Sequence, residues 1–247
     1  MSTASAGWGT SATPAEVIAV IPARLDARRL PGKPLLDLGG APLVWRVYER
    51  VRRCRDLSRV IVATDSPHIV DVVRALGGEA VLVDAPCASG TERVARAAAA
   101  TNAPFVINVQ GDEPFVDPIA LSRLAQHLRA GATLATLAAP LPPDRRYDPA
   151  TVKVVRDAAG DALYFSRAPI PGDQHLGVYG FGQAALRAVS TLPRGPLSRA
   201  EDLEQLAWLE AGWRIAVVDA PRASVSIDTP ADLDAARAHF AAAGDDS

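Results

Sequence analysis

Two rhythms of apolar residues alternate along the first part of the chain. Unbroken, β-branched runs occur in "VIAVI" (17–21), "RVIVAT" (59–64), "EAVLVD" (79–84), "PFVINVQ" (104–110) and "ATLATLAAP" (132–140). Between them the spacing changes to that of one helix face, as at Leu43, Val44, Val47, Tyr48 and Val51 of "PLVWRVYERVRR". "SPHIVDVVRALGG" has a serine cap, a first-turn proline and stop glycines, so it predicts a helix. "GTERVARAAAA" and "DPIALSRLAQHLRAG" predict two more. Strand–helix alternation of this kind predicts an α/β chain with a parallel sheet covered on both faces. The strands are apolar throughout rather than alternating, as strands buried on both faces should be. Ligands then belong at the carboxyl ends of the strands.

After Pro140 the rhythm breaks. "PLPPDRRYDPA" is turn-rich, and "TVKVVRD", "DALYFS" and "HLGVYGF" read as consecutive strands with no long helix between them. Two helices ("GQAALRAVSTL" and "SRAEDLEQLAWLEAG"), a strand ("WRIAVVD") and a last helix ("TPADLDAARAHF") follow. No repeat or flexible linker divides the chain. The expectation is one domain over 16–242, with a β-rich subdomain at about 140–200 and loose tails at 1–15 and 243–247.

Charge and cysteine content narrow the classes. The net charge is −2, so no global field draws the chain to nucleic acid or an anionic membrane. No apolar run approaches the ~20 residues of a membrane span. The polar start lacks the pattern of a signal peptide, and Cys54 and Cys87 form no C-x-x-C pair and read as reduced thiols. The expected location is the cytoplasm. Four scattered histidines and no H-E-x-x-H argue against zinc.

Several motifs are decoys. "GWGTSA" precedes the first strand, so it fails as a dinucleotide turn, and "PGKP" has proline where a Walker loop needs a hydroxyl. What remains of "PARLDARRLPGKP" is a stiff loop carrying Arg24, Arg28, Arg29 and Lys33, one of only two lysines, just after the first strand. Convergent cations there suit a triphosphate; the competing reading is a solvated basic loop. In "NVQGDEP", Asp112 past a strand end suits Mg²⁺, which prefers one or two carboxylates plus phosphate oxygens, or it serves the turn before Pro114. In "SIDTPADL", Asp228 reads as the end of a short strand, with Thr229 and Pro230 capping the last helix; a cap alone is the first reading, and Asp228 serves as a second carboxylate only if it faces Asp112 across neighbouring strand ends. Ser89, Gly90 and Thr91 open a helix, as a nucleoside site or an ordinary cap. His175 and Tyr179 stand four apart, on one face of a strand, and "EDLEQL" reads alone as a solvated helix face.

Taken together, "IPAR", "RLPGKPL", "IVATD", "SGTER", "NVQGDEP", "VKVV", "ALYFSR", "HLGVYGF", "LEQL" and "DTP-DL" resemble the CMP-Kdo synthetases, which activate 3-deoxy-manno-octulosonate (Kdo) with CTP. The likeness runs from about residue 17 to 233. It implies a nucleotidyltransferase (Rossmann-like) α/β fold with a mixed sheet, a homodimer, CTP as donor, Mg²⁺ as cofactor and a small acidic acceptor. By resemblance, Arg24, Arg29 and Lys33 grip the triphosphate and act in catalysis. Ala23, Ser89, Gly90 and Arg93 lie at the nucleotide, and Gln110 lies beside both substrates. Asp112 and Asp228 hold the metal; Arg167, His175, Tyr179, Glu204 and Gln205 line the acceptor site.

Two departures bear on the acceptor. Only "PGDQ" separates Ile170 from His175, where the Kdo enzymes have a longer connection, and Ser198 stands where the family has an acidic residue. A trimmed loop suits a smaller anion, and related enzymes join CMP to phosphonoformate. The sequence therefore tilts the acceptor towards phosphonoformate, with Kdo as the alternative and a non-catalytic CTP-binding protein as a third reading.

Overall fold

The computed structural model describes residues 16–25 and 30–243. Arg28, Arg29 and both predicted tails up to residue 15 and from 244 lie outside the described residues. The strands are β1 (Val17–Ala23), β2 (Arg59–Thr64), β3 (Ala80–Leu82), β4 (Phe105–Asn108), β5 (Leu134–Ala139), β6 (Lys153–Arg156), β7 (Ala162–Ser166), β8 (Asp173–Gly182) and β9 (Ala216–Asp219). The helices are α1 (Leu43–Arg52), α2 (Pro67–Ala75), α3 (Gly90–Ala99), α4 (Pro118–Arg129), α5 (Gln183–Val189), α6 (Pro196–Glu201), α7 (Glu204–Glu210) and α8 (Pro230–Ala243). None of the described helices is long and apolar enough to cross a membrane.

All nine strands join one sheet, in the order β3-β2-β1-β4-β8-β5-β9, with β6 and β7 branching from β8. Strands β1 to β4 pair in parallel. Strand β8 inserts antiparallel between β4 and β5, making the sheet mixed. Alternate residues of β1 feed two cores. Val17, Ala19 and Ile21 pack with α1, α2, α4 and α8. Ile18 and Val20 pack with α3, α5 and α7, a layer that includes the wholly buried Trp208. That two-sided burial is why the β1 run shows no polar alternation.

From β1 the chain passes to β2 and β3 on one side, then returns to place β4 on the other. The carboxyl ends of β1 and β4 therefore flank the switch point of the sheet, where doubly wound folds open a crevice. The two motifs singled out above, after β1 and after β4, sit there.

The part of the chain after Pro140 departs from its sequence pattern in two places. The stretch expected as one helix over 198–212 is broken into α6 and α7, with Asp202 between them at φ 52°. Nothing caps the start of α6 from within; Glu210 of α7 does so, accepting from Leu197 N at 2.9 Å and Ser198 N at 3.2 Å. A carboxylate is thus present beside Ser198. The short connection into β8 turns at Gly172, with φ 146°. A Cβ there would lie 2.3 Å from the Val154 carbonyl oxygen, so only glycine lets the connection lie flat on β6.

Candidate active site

Lys33 starts a short 3-10 turn, Lys33–Leu35, that follows Gly32. The base of the loop is tied by Gly32 N–H donating to Leu25 O at 3.2 Å. From there the Lys33 ammonium reaches Asp112 Oδ2 at 2.6 Å, Asp228 Oδ1 at 3.2 Å and the Ile227 carbonyl at 2.9 Å. Three motifs separated by 79 and 195 residues in the chain thus meet on one cation. Their closeness depends on Gly111. A Cβ there would lie 2.8 Å from Pro22 O, so glycine allows the turn bearing Asp112 to press against the end of β1.

Asp228 arrives differently from the sequence expectation. Residues 223–228 form no strand. This irregular segment is pinned by Ile227 N–H donating to Asp112 O at 2.9 Å. The cap of α8 is made by its neighbours: Thr229 Oγ1 accepts from Asp232 N at 3.2 Å, and Asp232 Oδ2 accepts from Thr229 N at 2.8 Å. Thr229 caps the helix as its sequence predicts, and the Asp228 carboxylate is bonded to Lys33.

Negative charge is concentrated at this point. Glu113 is buried and hydrogen-bonded by Ser224 Oγ at 2.5 Å. Burial, and then the charges of Asp112 and Asp228, push its pKa up to about 7. Two partly exposed carboxylates held together by a lysine fit a hard divalent cation that takes its remaining ligands from phosphate and water. No cluster of three or more histidine, cysteine or carboxylate ligands exists among the described residues, so a protein-only metal cage is not part of this site.

A cleft of about 730 Å³ opens over these groups, of the size that holds a small ligand. Ala23, Arg24, Lys33, Ser89, Gly90, Arg93, Gln110, Asp112, Arg167 and Asp228, all expected from the sequence, line it. Arg24 is exposed at its mouth. Ser89 caps α3, accepting from Glu92 N at 3.1 Å, while Glu92 Oε2 accepts from Ala88 N at 2.7 Å. This reciprocal box stiffens the turn that forms one wall. Arg93 is buried and donates to Asp65 Oδ2 at 2.7 Å, which fixes its guanidinium at the cleft edge.

The expected acceptor residues divide. Arg167 lines the cleft, its Nε donating to Glu201 O at 3.2 Å and its NH1 to Pro149 O at 3.1 Å. His175, Tyr179 and Gln205 are buried, and neither they nor the partly exposed Glu204 is among the cleft-lining residues. His175 and Tyr179 belong instead to a buried aromatic layer with Phe165 and Trp208. His175 Nε2 lies 3.0 Å from Thr136 Oγ1, and its ring meets Phe165 edge-on at 4.9 Å. Burial pushes its pKa down to about 3, so it is a neutral imidazole. Tyr179 packs edge-on against Trp208 at 4.9 Å, and Glu204 Oε2 accepts from Thr91 Oγ1 at 2.8 Å. In a regular strand, side chains four apart lie roughly 13 Å from each other. Here the pairing of β8 with β5 slips between Thr136 and Leu137, and the His175 and Tyr179 rings come within 5.5 Å.

Lys153 went unassigned in the sequence reading. It is wholly buried, and its ammonium donates to Asp148 O at 2.9 Å and Arg167 O at 3.0 Å, tying Arg167 to the turn before β6. The signal was a lysine inside an apolar strand, since a buried charge persists only when fully hydrogen-bonded. Asp202, also unassigned, lines the cleft. Its signal appears only in the broken helix.

The sequence model of the cytidylyltransferase family matches residues 18–215. The 3-deoxy-manno-octulosonate cytidylyltransferase of Anaeromyxobacter sp. (strain Fw109-5) is 46% identical, over 92% of this chain and 97% of its own. That of Syntrophotalea carbinolica is 41% identical, over 91% of this chain and 98% of its own. Among solved structures, CMP:2-keto-3-deoxy-manno-octonic acid synthetase complexed with CTP superposes with a TM-score of 0.87 at 38% identity, covering 92% of this chain and 99% of that one. A thymidylyltransferase from Bacillus anthracis, at 16% identity and a TM-score of 0.67, shares the fold alone. Likeness of this depth from end to end, over the same residues that converge at the switch point, makes the chain a CTP-dependent nucleotidyltransferase of the 3-deoxy-manno-octulosonate cytidylyltransferase, or CMP-Kdo synthetase, family.

Proposed function

We propose that this cytidylyltransferase transfers CMP from CTP to Kdo, releasing pyrophosphate. The observation that carries the reading is the meeting of Lys33, Asp112 and Asp228 at one end of a cleft that Arg167 lines as well. A basic group for the triphosphate, paired carboxylates and an arginine for an acidic acceptor then share one space. Support for Kdo over phosphonoformate comes from relatives that are full-length and named for 3-deoxy-manno-octulosonate. The short connection that tilted the sequence reading is packed flat on β6, so its length alone carries no argument for a smaller acceptor.

CTP binds with its phosphates between Arg24 and Lys33, and with its nucleoside against Ser89, Gly90 and Arg93. Asp112 and Asp228 would hold Mg²⁺, which when bound neutralises charge on phosphate oxygens. An acceptor oxygen attacks the α-phosphorus in line. The bond from that phosphorus to the bridging oxygen breaks, and pyrophosphate leaves. Lys33 and Arg24 stabilise the charge that develops on it, so catalysis is mainly positioning and electrostatics. Arg167 orients the acceptor's carboxylate, with His175, Tyr179, Glu204 and Gln205 beneath. The reading includes a homodimer, supported by the resemblance of the segments at 140–200; a solution mass of twice 25.9 kDa checks it.

The test is pyrophosphate release from CTP and Mg²⁺ with Kdo, other 2-keto-3-deoxy acids and phosphonoformate. Kdo is expected to give the highest kcat/KM. Turnover of phosphonoformate alone would overturn the acceptor; CTP binding without turnover on any acid would favour the silent nucleotide-binding reading.

A further inference from the structure

Asn108 ends β4 and is wholly buried. Its Oδ1 accepts from Gln110 Nε2 at 3.3 Å, whereas its Nδ2 has no hydrogen-bond partner, alone in this among the buried side-chain atoms of the described residues. Exchanging oxygen and nitrogen in both amides keeps the bond and merely strands the other atom. A buried polar group without a partner is costly, and an aliphatic residue of the same size would avoid that cost. Val106 and Ile107 before it, and Val109 after it, are aliphatic.

The surroundings say what the amide is near. The strand register sets Asn108 beside Val20 on β1 and opposite Tyr179 on β8. Gln110, two residues on, lines the cleft. It fills the gap between two glycines: a Cβ on Gly90 would lie 3.5 Å from Gln110 Oε1, and one on Gly177 would lie 3.6 Å from Gln110 Cγ. Asn108 therefore joins Gln110, the only carboxamide lining the cleft among the described residues, to the buried layer of Tyr179.

We propose that Asn108 is a positioning residue for acceptor recognition: it holds one end of the Gln110 carboxamide, so that the other end is presented to the acceptor's hydroxyls in a fixed sense. The terminal torsion of a glutamine is broad and nearly two-fold, so without Asn108 the amide turns either end outward. An acceptor hydroxyl then meets an acceptor oxygen or an NH₂ group indiscriminately. The unpaired amide hydrogen is tolerated because the same side chain supplies this orientation. The inference rests on the cytidylyltransferase reading of the cleft, and one of its readouts does not depend on which acid is the acceptor.

The experiment uses three variants of the full chain. Asn108→Leu removes both polar ends at nearly constant size, Asn108→Asp keeps an oxygen facing Gln110, and Gln110→Leu removes the partner. Asn108→Leu is expected to melt no lower than wild type while its acceptor KM rises about tenfold, the effect of one net hydrogen bond. Asn108→Asp restores the acceptor KM, and the Asn108→Leu/Gln110→Leu double variant is no worse than Gln110→Leu. In the free protein, the Gln110 side-chain NH₂ signals, assigned by their loss in Gln110→Leu, are slow to exchange in wild type and fast in Asn108→Leu. An unchanged acceptor KM, multiplying effects in the double variant, or unchanged amide exchange would each overturn the proposal. If wild type turns over no sugar acid, the acceptor reading falls and the amide exchange alone decides on Asn108.

Discussion

Lys33 occupies, in the free protein, the space between the two carboxylates that fit a metal. Its neutralisation of them explains how Asp112 and Asp228 tolerate such closeness. Lys33→Met is expected to lower kcat roughly 10²–10³-fold, in line with the loss of one preorganised charge contact. Pyrophosphate release checks this, and a change confined to acceptor KM would remove Lys33 from the triphosphate. His175 makes a different prediction. Its folded pKa of about 3 lies below the ordinary 6.5, so its contribution to stability is present above 6.5 and is lost as pH falls towards 3. Glu113 has the opposite sign: its folded pKa of about 7 lies above the ordinary 4.5, so its contribution is present at low pH and is lost as pH rises through 7. Between about pH 5 and the histidine's ordinary value the two slopes oppose, and the metal-free protein should be nearly flat there. His175→Gln should unmask a gain in stability on acidification. The two proteins should diverge by about 1.4 kcal/mol per pH unit in urea unfolding. Parallel curves would mean that His175 is not buried neutral. The candidate identities of Lys33 and Asp112 were legible from residue type beside a strand end. The buried state of His175 was not, because a histidine carries no mark in its neighbours of the strand that covers it.

At the level of elements, the strands and helices up to Pro140 were readable because each is a local pattern of burial and capping. The later part was less so. A continuous apolar rhythm over 198–212 hides the break at Asp202, which follows from how α6 and α7 must fold back for Glu210 to cap α6. The slip of β8 against β5, which brings His175 to Tyr179, is likewise a property of the pair and not of either strand. The short connection before β8 carries its own prediction. Gly172→Ala forces a Cβ into the Val154 carbonyl at a positive φ and should cost about 1–3 kcal/mol. That corresponds to a fall in Tm of a few degrees, about 2–4 °C for each kcal/mol in a chain of this size. An unchanged Tm would show that the connection is free of β6.

For the whole molecule, the sheet order decides where chemistry can occur. The reversal between β1 and β4 opens the cleft, and the long way back from β9 through residues 220–229 delivers Asp228 to it. On the proposed reading this is half a metal site, whose two carboxylates would share Mg²⁺ with phosphate oxygens. Chelating divalent metal from the purified protein should therefore stop pyrophosphate release, and added Mg²⁺ should restore it. Activity that persists under chelation would leave the charge to Lys33 and the cleft's arginines and remove the metal from the reaction.

By itself the chain determined its class, its strand and helix positions before Pro140, and the residue types at each strand end. It did so because hydrophobic period, caps and turn residues are read locally. It also carried, through its ordered motifs, the resemblance to a family. Only the tertiary structure decided that β8 enters between β4 and β5, that Asp228 meets Asp112 on Lys33, and that the His175 and Tyr179 rings come together. Those outcomes depend on contacts between segments far apart in the chain, or on a slip in strand pairing. Loop closure and register leave no periodic trace in the sequence that they join.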